Sequence, residues 1–370
     1  MKIALITPYF PPKIGGIETY VYELARRLSK QHRVEVFTSG RGVTEMYDGV
    51  KVFRLRSIDL QNIPFRPRIP YPIPISLMLK LVESDVDLIH AHGHAFVPSF
   101  QAALAARLTN KPFVLTVHDL GVAYSNYALM RGVKPIVDST MIEFVFKQAN
   151  AVIAQNEATL NYALTFKPRQ TTVMPQAVDL DAFEPNKKGE YVTFIAARLV
   201  PQKGGEVFVK AIPKVIKEFG EAKFMVIGDG FQRNYLERLA TDLGVEDYVE
   251  FVGAIAYEDV PKYLGLSRIV VFPSEIPAGL ALLEAAAMRK AIITTKNLWV
   301  VNSLGETPLY IPVRNPEATA KAIVHLLNNP VEREKIADLV YQKVVSRREW
   351  DTIVSTHIEL YNRILKGGKG

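Results

Sequence analysis

The sequence contains no cysteine. That absence removes a disulfide framework, a cysteine-ligated zinc site, an iron–sulfur cluster and thiol nucleophilic catalysis together, and it suits a reducing or a hot compartment. Long apolar runs are missing too. No stretch approaches the roughly 18 consecutive apolar residues of a membrane span, so the expectation is a cytoplasmic protein, soluble or peripheral at the inner face of a membrane. The opening Met1-Lys2-Ile3-Ala4-Leu5-Ile6-Thr7 carries one basic residue and too short an apolar run for a secretion signal before Pro8 and Pro11-Pro12. It reads as a first strand. Charge of one sign is only modestly in excess: 45 Lys and Arg against 38 Asp and Glu leave +7. An anionic partner is compatible with that balance; nucleic acid would rest on it alone and is not expected.

What is present is 48% apolar and 22% charged residue content over 370 residues, more chain than a single hydrophobic core accommodates. Two domains are expected. Short Val/Ile/Leu-rich runs alternate with helical patterns. In the first half they are Ile3–Thr7, Val34–Thr38, Val50–Leu55, Leu88–Ala91, Pro112–Val117, Val152–Ala154 and Thr172–Met174. Ile17, Val21, Leu24 and Leu28 share one helical face between the first two. Near-continuous apolar strands separated by helices predict parallel sheets covered on both faces, an α/β chain.

The alternation breaks at Phe183-Glu184-Pro185-Asn186-Lys187-Lys188-Gly189-Glu190, which has linker composition. A second series then runs through Tyr191–Ala197, Phe224–Ile227, Val249–Val252, Ile269–Phe272, Ala291–Thr294 and Leu309–Pro312 before a helical tail. Two Rossmann-like domains over a central cleft follow as the expectation, residues 1–186 and 187–348, with 349–370 as a final helix. Two segments depart from the pattern. Gln61–Pro74 holds five prolines and predicts an extended excursion whose Phe65, Arg66, Arg68 and Tyr71 would suit a membrane surface, an acidic acceptor or a solvated connection. Pro213 predicts a bend within the helix pattern Glu206–Phe219.

Ligands of parallel α/β sheets bind beyond the carboxyl ends of the strands. Five places there carry polar chemistry. Gly15-Gly16 precedes a helix and lets backbone N–H groups face an anion, or simply makes a turn. Arg198 ends a strand and Lys203 opens the next helix; such a pair suits a diphosphate, or is merely solvated. Glu284 is the one ionised residue in the apolar helix Leu280–Met288 and needs donors, either ribose hydroxyls or a structural partner. His118 follows the strand Pro112–Val117, placed for hydrogen bonding or proton transfer, or as a structural histidine. His90, His92 and His94 recur with period two and would share a face if the strand continued, an array able to ligate a metal. Asp85-Val86-Asp87 sits before a strand and Asp179-Leu180-Asp181 near the linker, so neither is expected to bind a ligand.

In this order the fragments resemble the retaining glycosyltransferases of family 4, with their two-domain GT-B fold. The likeness is carried by Ile6-Thr7-Pro8-Tyr9-Phe10-Pro11-Pro12 with Gly15-Gly16-Ile17-Glu18, Val86–His92, Thr116-Val117-His118-Asp119, Met174–Asp179, Ala197–Gly204, Val226–Gly230, Val252-Gly253, and Phe272-Pro273-Ser274 with Gly279-Leu280 and Leu283-Glu284-Ala285. The resemblance implies that Arg198 and Lys203 hold the donor diphosphate, with Gly15 and Gly16 reaching its phosphates. It further implies that Glu284 binds the ribose, that His118 contacts the donor sugar, that Gly279 and Leu280 offer backbone groups, and that the loop from Gly253 to Ile255 faces the base. The last helix is implied to cross back to the first domain.

One motif departs from the family. The first glutamate of its E-x7-E pattern falls on Ile276, with Glu275 one residue early, and Pro277-Ala278 replace the usual Gly-Phe. A bulge would bring Glu275 in as a catalytic carboxylate; otherwise the sugar-binding role is absent. The expected reaction is retaining, metal-independent transfer of a hexosyl unit from a nucleotide diphosphate sugar, with no other cofactor, to a hydroxyl of a glycan or lipid-linked acceptor. The alternatives are a sugar-nucleotide-binding homologue with weak or no catalysis, and a metal-dependent hydrolase built on His90, His92 and His94.

Overall fold

The computed structural model describes residues 1–13, 15–59, 72–119, 138–186, 188–345 and 350–367. The chain divides into two compact units, Met1–Gln176 with Asp351–Gly370, and Ala177–Trp350. The division falls ten residues before the expected boundary at 186/187, because Val178 and Phe183, each 1% exposed, belong to the second unit's core. The helix Trp350–Gly367 lies almost wholly in the first unit.

The first unit's sheet contains β1 (Lys2–Ile6), β2 (Arg33–Gly40), β3 (Val43–Tyr47), β4 (Val50–Asp59), β5 (Pro72–Pro74), β6 (Leu88–His92), β7 (Phe113–Val117), β8 (Ala151–Ala154) and β9 (Thr171–Val173). Their order is β3-β4-β2-β1-β6-β7-β8-β9, with β5 on β4. All pairs are parallel except β3 and β5 against β4. Ile3, Ala4, Leu5 and Ile6 are all fully buried, as a central strand covered on both faces requires. The helix Gly16–Leu28 buries Tyr20, Val21, Leu24, Ala25 and Leu28; a buried Val or Leu of this kind stabilises by roughly 1.5–3 kcal/mol. The Asp85 and Asp87 pair has a structural use. Asp85 receives Lys2 Nζ at 2.5 Å and Asp87 the Lys2 backbone N–H at 2.7 Å, tying the start of β1 to the approach to β6.

The second unit's sheet is wholly parallel: β10 (Tyr191–Arg198), β11 (Lys223–Asp229), β12 (Val249–Gly253), β13 (Ser267–Phe272), β14 (Ala291–Thr295) and β15 (Leu309–Ile311), in the order β12-β11-β10-β13-β14-β15. The helix Gly205–Phe219 runs unbroken through Pro213, its Phe208, Val209, Ile212 and Val215 buried. That apolar face holds the helix where proline alone would favour a break. Of the proline-rich segment, residues 72–74 form β5, and Phe65, Arg66, Arg68 and Tyr71 lie outside the described residues. Among the described residues no helix is long and apolar enough to cross a membrane.

Candidate active site

Strand order selects the place to look. In the second sheet the chain runs outward one way from β10 through β11 to β12, and the other way through β13, β14 and β15. The crevice of such a sheet opens where the order reverses, between the carboxyl ends of β10 and β13. Arg198 is the last residue of β10, and the loop after β13 is Pro273–Gly279. The two loops are fastened to each other. Glu275 N–H donates to Gln202 O at 2.8 Å, Ser274 Oγ to the same oxygen at 3.1 Å, and Lys203 Nζ to Pro277 O at 2.7 Å.

Gly204 makes the fastening possible. Its φ is +82°, and a Cβ there would stand 2.1 Å from the carbonyl oxygen of Pro273. Both the left-handed backbone and the close approach demand glycine. Gly204→Ala is expected to cost about 2–4 kcal/mol through strain and overpacking. A urea unfolding midpoint equal to that of the parent protein would contradict this account of the loop.

Arg198 is exposed and makes no hydrogen bond or ion pair among the described residues. Lys203 is half-buried; burial first, and then the charge of Arg198, bring its amine down to about 8. Two neighbouring cations with no carboxylate between them leave an anion's place open.

Glu284 lies in the helix Leu280–Ala287, whose N-cap is Gly279 with φ +75°. The carboxyl is 4% exposed, and burial pushes its pKa up to about 8, opposed by a hydrogen bond from the Tyr257 hydroxyl. Its Oε1 is buried without a partner. Tyr257 follows Gly253 and the partly buried Ile255, which packs on the core, so this loop and Glu284 are joined. Tyr257 was not legible as a site residue, although it stands two positions from Ile255.

The Glu275 carboxylate is engaged by an arginine. Arg314, beyond β15, donates Nε to Glu275 Oε1 at 2.6 Å and Nη2 to Oε2 at 2.8 Å. This is a bidentate pair with Arg314 75% exposed. Thirty-nine residues separate the partners, too many for spacing to reveal the pair.

In the first unit the order reverses between β1 and β6. Gly15 caps the helix after β1, and a Cβ on it would lie 2.2 Å from Glu18 Oε2. The Glu18 carboxylate thus leans over the cap, at the end of the helix where negative charge is favoured. Gly16 opens the same helix and is exposed. His118, beyond β7, joins His92 and Gln155: its Nδ1 meets Gln155 Nε2 at 2.8 Å and its Nε2 meets His92 Nδ1 at 3.1 Å. With the amide nitrogen on Nδ1, the His118 proton sits on Nε2 and is donated to His92. Burial brings His118 down to about 4 despite Asp119 and Gln155, which act upward.

The three-histidine array is broken. His90 binds Tyr361 OH and Thr116 Oγ1, both at 2.7 Å, so neither ring nitrogen is left for a metal. The strand ends at His92, and Gly93 turns the chain with φ +87°. His94 therefore leaves the shared face and packs near Phe146 and Tyr162. Among the described residues no three His, Asp or Glu side chains converge on a metal-sized position.

These loops have counterparts in known proteins. A model of "Glycosyl transferases group 1" matches residues 190–329, and one of "Glycosyltransferase Family 4" matches residues 14–182. The chain belongs to glycosyltransferase family 4. This family 4 glycosyltransferase is 25% identical, over 96% of its length and 96% of the relative's, to the GDP-mannose-dependent alpha-(1-6)-phosphatidylinositol monomannoside mannosyltransferase of Mycobacterium tuberculosis. It is 24% identical, over 99% of its length and 83% of the relative's, to a subunit of the phosphatidylinositol N-acetylglucosaminyltransferase of Arabidopsis thaliana. Sucrose-phosphate synthase from Thermosynechococcus elongatus shares its fold at a TM-score of 0.79 and 21% identity, over 99% of both chains. Anabaena HepE, solved with UDP-glucose, does so at 0.76 and 19%, over 98% of this chain and 100% of that one. The fold is GT-B, two Rossmann-like α/β domains.

Proposed function

We propose that this family 4 glycosyltransferase moves a hexosyl unit from a nucleotide diphosphate sugar to an acceptor hydroxyl, with retention at the anomeric carbon. The observation that carries the reading is the pair Arg198 and Lys203 at the switch point of the second sheet, paired with no carboxylate among the described residues, with the buried, unpartnered Glu284 Oε1 in the same unit. The cations take the charge of the departing diphosphate, and the Leu280–Ala287 helix start offers N–H groups beside them. Glu284 receives ribose hydroxyls, which return the hydrogen bonds that burial denies it. Gly253 and Ile255 face the base. From the first unit, Gly15 and Gly16 serve the donor phosphates and His118 the sugar, on the family likeness.

On the family likeness, the acceptor attacks on the face the leaving group vacates and its proton passes to the departing phosphate oxygen. The reaction draws on no metal or other cofactor. Glu275 enters by exchanging Arg314 for the sugar; an ion pair this exposed is worth only about 0–1 kcal/mol, so the exchange is inexpensive. A lipid-linked acceptor is supported by the mycobacterial and Arabidopsis relatives, whose names both specify phosphatidylinositol compounds. A glycan is the other acceptor class.

Thermal shifts with UDP, GDP and ADP sugars, followed by donor-release and transfer assays, test the reading. Stabilisation by none of them sinks it. Glu284→Gln is expected to raise the donor KM about tenfold, the loss of one charge-assisted hydrogen bond; an unchanged KM would remove Glu284 from the ribose. A second reading, donor binding with weak catalysis, is favoured by the Glu275–Arg314 pair and Ile276. It predicts a nucleotide-dependent shift without transfer.

A further inference from the structure

The amino ends of the second sheet, opposite the diphosphate loops, hold a concentration of cations that the transfer reaction does not use. A cavity of about 200 Å³ lies there, lined by Arg268, Arg289, Lys290 and Arg333. Arg268 is the second residue of β13, and Lys290 immediately precedes β14. Glu334 is the one carboxylate among the described lining residues, and it is exposed.

The four cations are in different states. Arg289 is neutralised by Asp338, with Nε at 3.0 Å from Oδ1. Lys290 is 1% exposed and donates to the carbonyl oxygens of Asn186, Lys188 and Gly265, without a carboxylate. Burial brings its amine down to about 8, the mark of a charge whose solvation three carbonyls only partly replace. Arg333 donates Nη1 to Leu326 O at 2.9 Å. Burial and then the charge of Arg268 hold Arg333 below its ordinary value, so the two guanidinium groups lie near enough to repel. The Arg268 side chain makes no hydrogen bond or ion pair among the described residues, and its Nε is buried without a partner. The nearest carboxylate it acts on, Glu190, is already taken by Lys223 at 2.7 Å.

A buried N–H without an acceptor costs about 1–3 kcal/mol, and like charges in one recess add to that. Such an arrangement persists where something else supplies the acceptor. We propose that this cavity is a second anion site, binding a phosphate group between Arg268 and Arg333 beside the Lys290 charge. The guanidinium forks match phosphate oxygens, and the volume suits a phosphate or a phosphomonoester rather than a nucleotide. The site is independent of the donor loops. A free phosphate and the headgroup of a phosphomonoester lipid present the same chemistry.

The test is a titration with inorganic phosphate, read as Tm, against sodium chloride at matched ionic strength. It is made in the full chain carrying Arg198→Ala and Lys203→Ala, so that the diphosphate loops contribute nothing. A saturable rise of a few degrees is expected, and Arg268→Gln should abolish it. Because the Arg268 side chain bonds to none of the described residues, that variant keeps its packing, which an unchanged circular dichroism spectrum verifies. Arg268→Lys should restore part of the rise. Cosedimentation with phosphatidylcholine vesicles, with and without phosphatidic acid, separates the sources: Arg268-dependent binding only to the latter lipid assigns a headgroup, and a phosphate response without vesicle binding assigns the free ion. No response to phosphate or to phosphatidic acid, or a response equal in Arg268→Gln, overturns the proposal.

Discussion

Replacing Arg198 and Lys203 together with alanine is expected to lower kcat/KM for the nucleotide-sugar donor by about 10²–10⁴-fold, because each charge-assisted bond to the diphosphate contributes roughly 1.5–3 kcal/mol. The nucleotide-dependent rise in Tm should vanish with it, and Arg198 contributes little to any change in the Tm without nucleotide, since its side chain has no partner among the described residues to lose. Lys203→Ala alone also forfeits its bond to the Pro277 carbonyl, so the site loop loosens as well as losing charge. The lowered amine of Lys203 adds a pH signature. With its pKa brought to about 8 by burial and Arg198, the free enzyme loses this charge as pH rises through that value, and kcat/KM should fall. Lys203→Arg should remove the decline, since guanidinium stays charged. A double variant that keeps both its nucleotide shift and its transfer rate would place the diphosphate elsewhere.

The second large effect concerns stability in acid. His90, His92 and His357 are buried in the first unit and His118 is half-buried there; burial lowers every one of them, His118 and His357 to about 4 and the other two well below the ordinary value. The native state therefore binds fewer protons than the unfolded chain, whose imidazoles titrate at about 6.5. Stability is complete above that pH and declines as pH falls through it toward the folded values. At pH 5 the loss is about 2 kcal/mol for each of His118 and His357, before the other two add theirs. Against a total of about 5–15 kcal/mol, that is a large fraction. The groups facing these rings include Tyr20, Thr116, Gln155 and Tyr361, which are neutral at these pH values, while Asp119 acts upward on His118. Urea midpoints measured at pH 7.5 and pH 5 should differ strongly. Equal midpoints would mean that the imidazoles are hydrated or paired in solution.

Most of the sheet framework was legible in the sequence because buried parallel strands write themselves as continuous apolar runs. The strands that escaped are those without such a run. In β3, Val43, Thr44 and Met46 are exposed, as suits the edge of a sheet, and β5 is three residues long with two prolines. The diphosphate cations were readable because strand ends and helix starts are short-range signals. The partners that define the surroundings were not: Arg314 on Glu275, Gln155 and His92 on His118, and Tyr361 on His90 are contacts across 26 to 271 positions. The histidine array failed as a period-two pattern for a local reason, since Gly93 ends the strand before the third ring. The cationic cavity had no sequence mark at all; Arg268, Lys290 and Arg333 are ordinary residues until β13, β14 and the helix Pro330–Val345 bring them together.

The bond from Tyr361 to His90 also bears on the order in which the protein assembles. A ribosome releases the nine strands of the first sheet long before the helix that covers His90, and the entire second unit is synthesised in the interval. The second unit is one uninterrupted stretch and is able to close as soon as it emerges. The first must wait, with its histidine face open, for a segment 271 residues downstream of the ring it covers. During biosynthesis the unit that begins first is thus the one that finishes last.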